Sequence, residues 1–135
     1  IMKNAMKYIE LKPGKEKALH NFHPWIFSGA LKRIPDFAPG EEVLVLDHQG
    51  QHLAKGHFCG REGLVVRIFS FDPSKDTATV IKERLEQAWH LRKRLGFPSA
   101  QTNGFRLIHG EGDGLSGLVV DVFYGFSEGA VTVYC

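Results

Sequence analysis

A mostly β fold with an α+β continuation is predicted: a small β barrel over about residues 7–71, followed by a long helix and a small partial sheet. Three features carry this expectation. Short runs of β-branched and aromatic residues are cut by Gly or Pro turn signals about every 8 to 12 residues as far as Phe69. From Thr77 to Leu95 the apolar residues change to helical spacing. Beyond Pro98, β-type runs return, separated by Gly-rich joints.

The elements follow in order. "YIEL" is a strand ended by Pro13 and Gly14, and "KEKALHNF" supplies one or two helical turns just after them. "GALKRI" reads as a second extended piece, Pro39 and Gly40 as a turn, and "EVLVLD" as a strand. "HQGQ" is a tight turn in which Gly50 can take positive φ, leading into "HLAKGHF"; "CGREG" turns again into "LVVRIF". "FDPSKD" breaks the strand rhythm, and Asp76 is placed to cap the helix that follows. That helix sets Ile81, Leu85, Ala88, Leu91 and Leu95 near one stripe, with Trp89 beside it. Arg92, Lys93 and Arg94 suit the negative end of its dipole, and Gly96 and Pro98 stop it. "FRLIH", "LVVDVF" and "AVTVY" are three further strands. One helix and three strands make a thin core for an independent domain.

Composition excludes several classes. At 43% apolar and 24% charged residues the chain is ordinary for a soluble globular protein. No run approaches the ~18 apolar residues of a membrane span, and "IMKNAMKYIELKPGKEK" has no apolar signal core. With only Cys59 and Cys135, far apart, the expectation is a cytoplasmic chain with reduced thiols and no membrane partner. The net charge of +2 hides an asymmetry: Lys3, Lys7, Lys12, Lys15, Lys17, Lys32 and Arg33 stand against Glu10 and Glu16. Residues 1–34 therefore carry +5 and the remainder −3. Such polarity suits either an anionic partner for the first third or a solvated lysine face.

Candidate chemistry is sparse. Gly112, Gly114 and Gly117 fit G-x-G-x-x-G, but a dinucleotide cradle needs a helix after the glycines, and Leu118 to Phe123 is strand-like. A Gly-rich turn between two strands explains it, with Asp113 tolerating positive φ. His20, His23, His57 and Cys59 lack paired zinc spacings, so no metal site is expected. Glu111, Asp113 and Asp121 have no neighbouring nucleophile, so no catalytic residue is assigned. "HNFHPWIFSGAL" is more informative. It sets Phe22, Trp25 and Phe27 beside His20, His23 and the preceding lysines, a pairing of aromatic faces and cations that can bind unstacked bases and phosphate. The competing reading makes Trp25, Ile26 and Phe27 barrel core.

Two blocks carry a family resemblance. "LKPGKEKALHNFHPWIFSGAL" resembles the start of the PUA domain in bacterial class I SAM-dependent methyltransferases that make 5-methylcytidine in 23S rRNA. "FRLIHGEGDGLSGLVVDVFYG" resembles the block opening the central domain of the same enzymes. The resemblance implies a PUA-like β pseudo-barrel, an RNA-binding domain over residues 1–72, and over 73–135 the amino-terminal part of an α+β central domain. It implies that this chain is an N-terminal portion of such an enzyme, positioning 23S rRNA for methylation. The catalytic cysteine and the site for S-adenosyl-L-methionine (SAM), the full-length enzyme's cofactor, would lie in a C-terminal domain outside this chain. PUA domains bind structured RNA along a groove near their short helix. Carried over, that favours Lys12, Gly14, Lys15, Lys17, His23, Trp25 and Arg67 as the neighbourhood of RNA contact. After "GHF" the family often has an Asn-Pro turn where this chain has "CGREG", while Arg67 fits the pattern. The alternative is a freestanding PUA-like RNA-binding adaptor or regulator without enzymatic activity. A last strand exposed at its edge is expected to recruit a second copy, giving a homodimer.

Overall fold

Short apolar runs generate a five-stranded sheet from β1 (Lys7–Glu10), β2 (Trp25–Phe27), β3 (Glu42–Leu46), β4 (His52–Phe58) and β5 (Leu64–Ser70), in the order β1-β3-β4-β5-β2. Burial alternates along β2 and is continuous through the middle of the central strands β3 and β4. The structure, a computed structural model, describes residues 6–102, 104–124 and 129–134. The chain divides into two compact units, Ile1–Thr77 and Ala78–Cys135.

In the first unit β1 runs parallel to β3, and the β3-β4, β4-β5 and β5-β2 pairs are antiparallel. The sheet curls back on itself where Leu11, just past β1, bridges Leu31. Two further bonds hold that seam, Lys12 N–H to Ala30 O at 2.8 Å and Lys32 N–H to Glu10 O at 3.0 Å. This pseudo-barrel encloses Ile9, Leu11, Leu19, Ile26, Val43, Val45, Phe58, Val65 and Val66. Fully burying each aliphatic side chain contributes about 1.5–3 kcal/mol. Gly56 on β4 is required by close approach: a Cβ there would lie 2.5 Å from Val66 Cγ1 and 2.6 Å from the Arg67 carbonyl oxygen.

Two expectations need correcting in this unit. "GALKRI" is not a strand: Ser28–Ala30 form a 3₁₀ turn closed by Leu31 N–H to Ser28 O at 3.2 Å, and only Leu31 makes a bridge. Three small residues turn more cheaply than they extend, since they have little side chain to pack on a sheet. Of the "WIF" triplet, only Ile26 is core, at 2% exposure, whereas Trp25 is 37% and Phe27 48% exposed. The two-residue period of a strand sends the flanking rings to the opposite face.

In the second unit α2 (Thr77–Arg94) begins directly after Asp76 and precedes an antiparallel sheet, β6 (Gly104–His109), β7 (Val119–Tyr124) and β8 (Gly129–Tyr134), in the order β6-β7-β8. Its core joins Ala88 to Ile108, Leu115 and Val120. The predicted stripe holds in part: Ala88 is buried and Leu85 packs against the same core, but Ile81, Leu91 and Leu95 are exposed and Val80 is buried in addition. The seam runs through positions 80, 84, 88 and 92 because Arg84 packs along Gly114 and Arg92 reaches Asp113. Arg84 and Arg92 thus share a line with the buried Val80 and Ala88, where apolar periodicity alone marked only Ala88. No helix among the described residues is long and apolar enough to cross a membrane.

Candidate nucleic-acid interface

Lys12-Pro13-Gly14-Lys15 has the signature of a type II turn. Lys15 N–H donates to Lys12 O at 3.1 Å, Pro13 sits at the second position, and Gly14 takes φ +81° at the third. Gly14 therefore serves the backbone, which throws both lysines outward before α1 (Lys17–His20). That short helix ends in a Schellman pair, Phe22 N–H to Leu19 O and His23 N–H to Ala18 O, both 2.9 Å. Phe22 occupies the left-handed position, φ +58°, where glycine is usual; its ring meets Phe71 edge-on at 5.3 Å.

The reversal at Phe22 delivers His23 to β2. His23 Nδ1 lies 3.3 Å from the Trp25 amide nitrogen and 3.2 Å from its carbonyl oxygen. The Nε2–H tautomer accepts the amide N–H, and a protonated Nδ1 donates to the carbonyl. Either form pins the ring beside Trp25. Between the turn, α1 and β2 lies an open groove of about 390 Å³, with Leu11, Leu19 and Ile26 as floor and Lys15, His23 and Trp25 among its walls. Lys12 reaches over to the carbonyl of Gly29, which lines the same groove, at 3.3 Å. Arg67 is the cross-strand neighbour of Trp25, exposed on the same sheet face.

The structure thus gathers Lys12, Lys15, His23 and Trp25 at one groove and puts Arg67 beside it. Lys17 is exposed on α1 and does not line the groove. Electrostatics sharpen the charge asymmetry of the sequence. Lys7 is paired with Glu41 and Lys32 with Glu10, whereas Lys12, Lys15, Lys17 and Arg67 make no ion pair among the described residues. Gly29 is a groove residue that sequence reasoning did not single out, and Phe27, named there among the aromatic faces but not among the favoured contacts, lines the groove as well. The signal for Phe27 was its place two residues beyond Trp25.

The Gly-rich block of the second unit is a clasp. Gly110–Asp113 form a 3₁₀ turn, Gly114 follows at φ +74°, and β7 comes next. Asp113 is not among the positive-φ residues; instead its carboxylate accepts Arg92 Nη1 and Nη2 at 2.6 and 2.7 Å and the His109 N–H at 2.7 Å. Burial pushes that carboxyl up, but the guanidinium and the amide outweigh it, so its pKa falls below the ordinary value. Asp121 is held by Arg106 at 2.8 Å, and Glu111 accepts the Ser116 hydroxyl at 2.6 Å. Every carboxylate considered for catalysis is engaged structurally, and a glycine turn leading into a strand does not fit SAM or a dinucleotide. Among the described residues no three His, Cys, Asp or Glu converge as metal ligands.

Comparison with known proteins agrees with this architecture. Residues 9–71 match the family model of a PUA-like domain. The chain is 41% identical over 118 residues to ribosomal RNA large subunit methyltransferase I of Escherichia coli strain SMS-3-5 / SECEC, and 40% identical over 121 residues to its counterpart in strain K12. Each match covers 86% of this chain, which spans 30% of the relatives' length. Two solved structures share the fold at 19% identity: a proposed SAM-dependent methyltransferase from Streptococcus mutans, and a proposed methyltransferase in complex with SAH. Their TM-scores are 0.69 and 0.70, over 89% of this chain and 31% and 30% of theirs. Residues 9–71 therefore resemble a PUA-like domain in sequence, and the chain as a whole is similar to part of the large-subunit ribosomal RNA methyltransferases.

Proposed function

We propose that this chain is the RNA-binding portion of an rRNA (cytosine-5-)methyltransferase. It captures and positions 23S rRNA through the groove between the Lys12–Lys15 turn, α1 and β2. The observation that carries this reading is the convergence, on one face, of Lys12, Lys15 and Arg67 with His23 and Trp25. Unpaired cations supply affinity for phosphate, and aromatic faces add contacts to bases. Methyl transfer from SAM belongs to a catalytic domain of the kind such enzymes carry, and none of its steps is assigned to residues of this chain.

Fluorescence anisotropy with a labelled 23S rRNA fragment at several salt concentrations tests the reading. If Lys12, Lys15, Lys17 and Arg67 each neutralise one phosphate, log K should fall against log salt with a slope of about −3. Replacing Lys12 and Lys15 together by Glu should flatten that slope and weaken binding at least tenfold. Binding indifferent to salt, or to the charge reversal, would refute the assignment.

A further inference from the structure

Phosphate contact alone leaves the outer face of β2 unexplained. His23, Trp25 and Phe27 alternate with Pro24 and Ile26, so the pleat sends three rings to one side while Ile26 enters the core. Ring centroids lie 6.0 Å apart for His23 and Trp25 and 6.4 Å for Trp25 and Phe27. The planes meet at 78° and 87°, an edge-to-face ladder in which neighbouring rings fix one another's tilt. Phe27 is nevertheless 48% exposed and Trp25 37%. Aromatic rings held in place and left this exposed are suited to serve as stacking platforms more than as packing units.

Cations border the ladder in a matching way. Lys15 stands with the rings in the same groove, Lys12 reaches the Gly29 carbonyl just past Phe27, and Arg67 is opposite Trp25 on β5. Continuous RNA duplex hides its base faces within the helix stack and presents phosphates and 2′-hydroxyls, which lysines alone could grip. A ring ladder gains only from bases that are already unstacked.

We propose that the His23–Trp25–Phe27 ladder receives the bases of a short unpaired stretch of RNA, with Lys12, Lys15 and Arg67 on its phosphates. This rests on the RNA-binding reading and narrows it to one substrate class, a single-stranded or looped-out segment in place of continuous duplex.

The test uses the full chain carrying Trp89→Phe, which leaves Trp25 as the sole tryptophan of the two present. Its fluorescence is titrated with an unstructured RNA octamer and with a blunt duplex of that sequence, at one salt concentration. The single strand should quench Trp25 and bind at least tenfold more tightly than the duplex. Phe27→Ala should lower single-strand affinity about tenfold and leave duplex affinity unchanged, with Phe27→Tyr restoring it. Phe27→Leu keeps apolar bulk without a ring face and should behave like the alanine variant, which separates stacking from folding. Equal affinity for both RNAs, single-strand binding without quenching of Trp25, or full single-strand affinity in Phe27→Leu would overturn the ladder and leave RNA binding standing. Failure of both RNAs to bind at low salt would remove the RNA reading with it.

Discussion

Replacing Asp113 by Asn probes whether the Gly-rich block is a clasp. The Asp113 carboxylate closes a two-pronged bond with Arg92 and accepts the His109 amide, and the two side chains are only 7% and 12% exposed. Asn keeps the shape and one acceptor oxygen but loses the charge and turns an NH₂ toward the guanidinium. Removing one partner of a buried ion pair costs about 3–5 kcal/mol, and the residual exposure argues for the lower end, about 3 kcal/mol. Against a total domain stability of about 5–15 kcal/mol that is a large fraction. Urea unfolding read through Trp89, stacked on Phe105 within the same unit, should show the loss as a lower midpoint. In a cycle with Arg92→Met, the double variant should be more stable than the sum of the single losses, because no charge is then left without its partner. A midpoint for Asp113→Asn within about 0.5 kcal/mol of the parent, or strictly additive losses, would refute the clasp and free Asp113 for another role.

Acid should destabilise the protein in a defined window. Asp47 is held below its ordinary pKa by the Gln51 and Gln49 amides, Asp72 by Ser74, Asp121 by Arg106 and Glu41 by Lys7. Carboxyls depressed in the folded state stabilise fully above their unfolded values of about 4, and that contribution is lost as pH falls through the lower folded ones. Thermal melts should hold steady from pH 7 to 5 and drop toward pH 3, less steeply in Asp47→Asn; a flat profile would contradict this. Gly56→Ala should cost about 1–3 kcal/mol in chemical denaturation, since its Cβ would meet Val66 and the Arg67 carbonyl, and a silent substitution would mean that β4 and β5 can separate there. β8 pairs with β7 along one edge, and among the described residues its other edge has no partner strand, so the 135-residue chain is expected to self-associate; light scattering that finds a strict monomer at high concentration would count against that.

Much of the architecture was legible because local rules and tertiary packing agree. Pro13-Gly14 and Asp47 to Gln51 turn where they should, Gly50 takes φ +83°, and the long helix runs from Thr77 to Arg94. The interface was legible in part. Clustered lysines and the "HNFHPWIF" composition located it, but composition could not say which rings face water, and the competing core assignment for Trp25 and Phe27 followed from their size alone. Asp47 escaped notice for a related reason: a carboxylate inside a turn reads as solvated, yet it is 7% exposed and accepts two amides at 2.8 Å.

By itself the sequence determined the alternation of strands and turns, the excess positive charge of the first third and the incompatibility of the glycine motif with a nucleotide cradle. These depend on residues near one another along the chain, where period, φ preference and charge act directly. Tertiary structure alone decided that β1 pairs in parallel with β3, that Arg92 belongs to Asp113, and that Arg67 stands opposite Trp25. Each of these joins residues more than twenty positions apart or sets one strand's register against another's. Such choices are fixed by which faces can be buried together, a property of the assembled sheet and not of any segment of it.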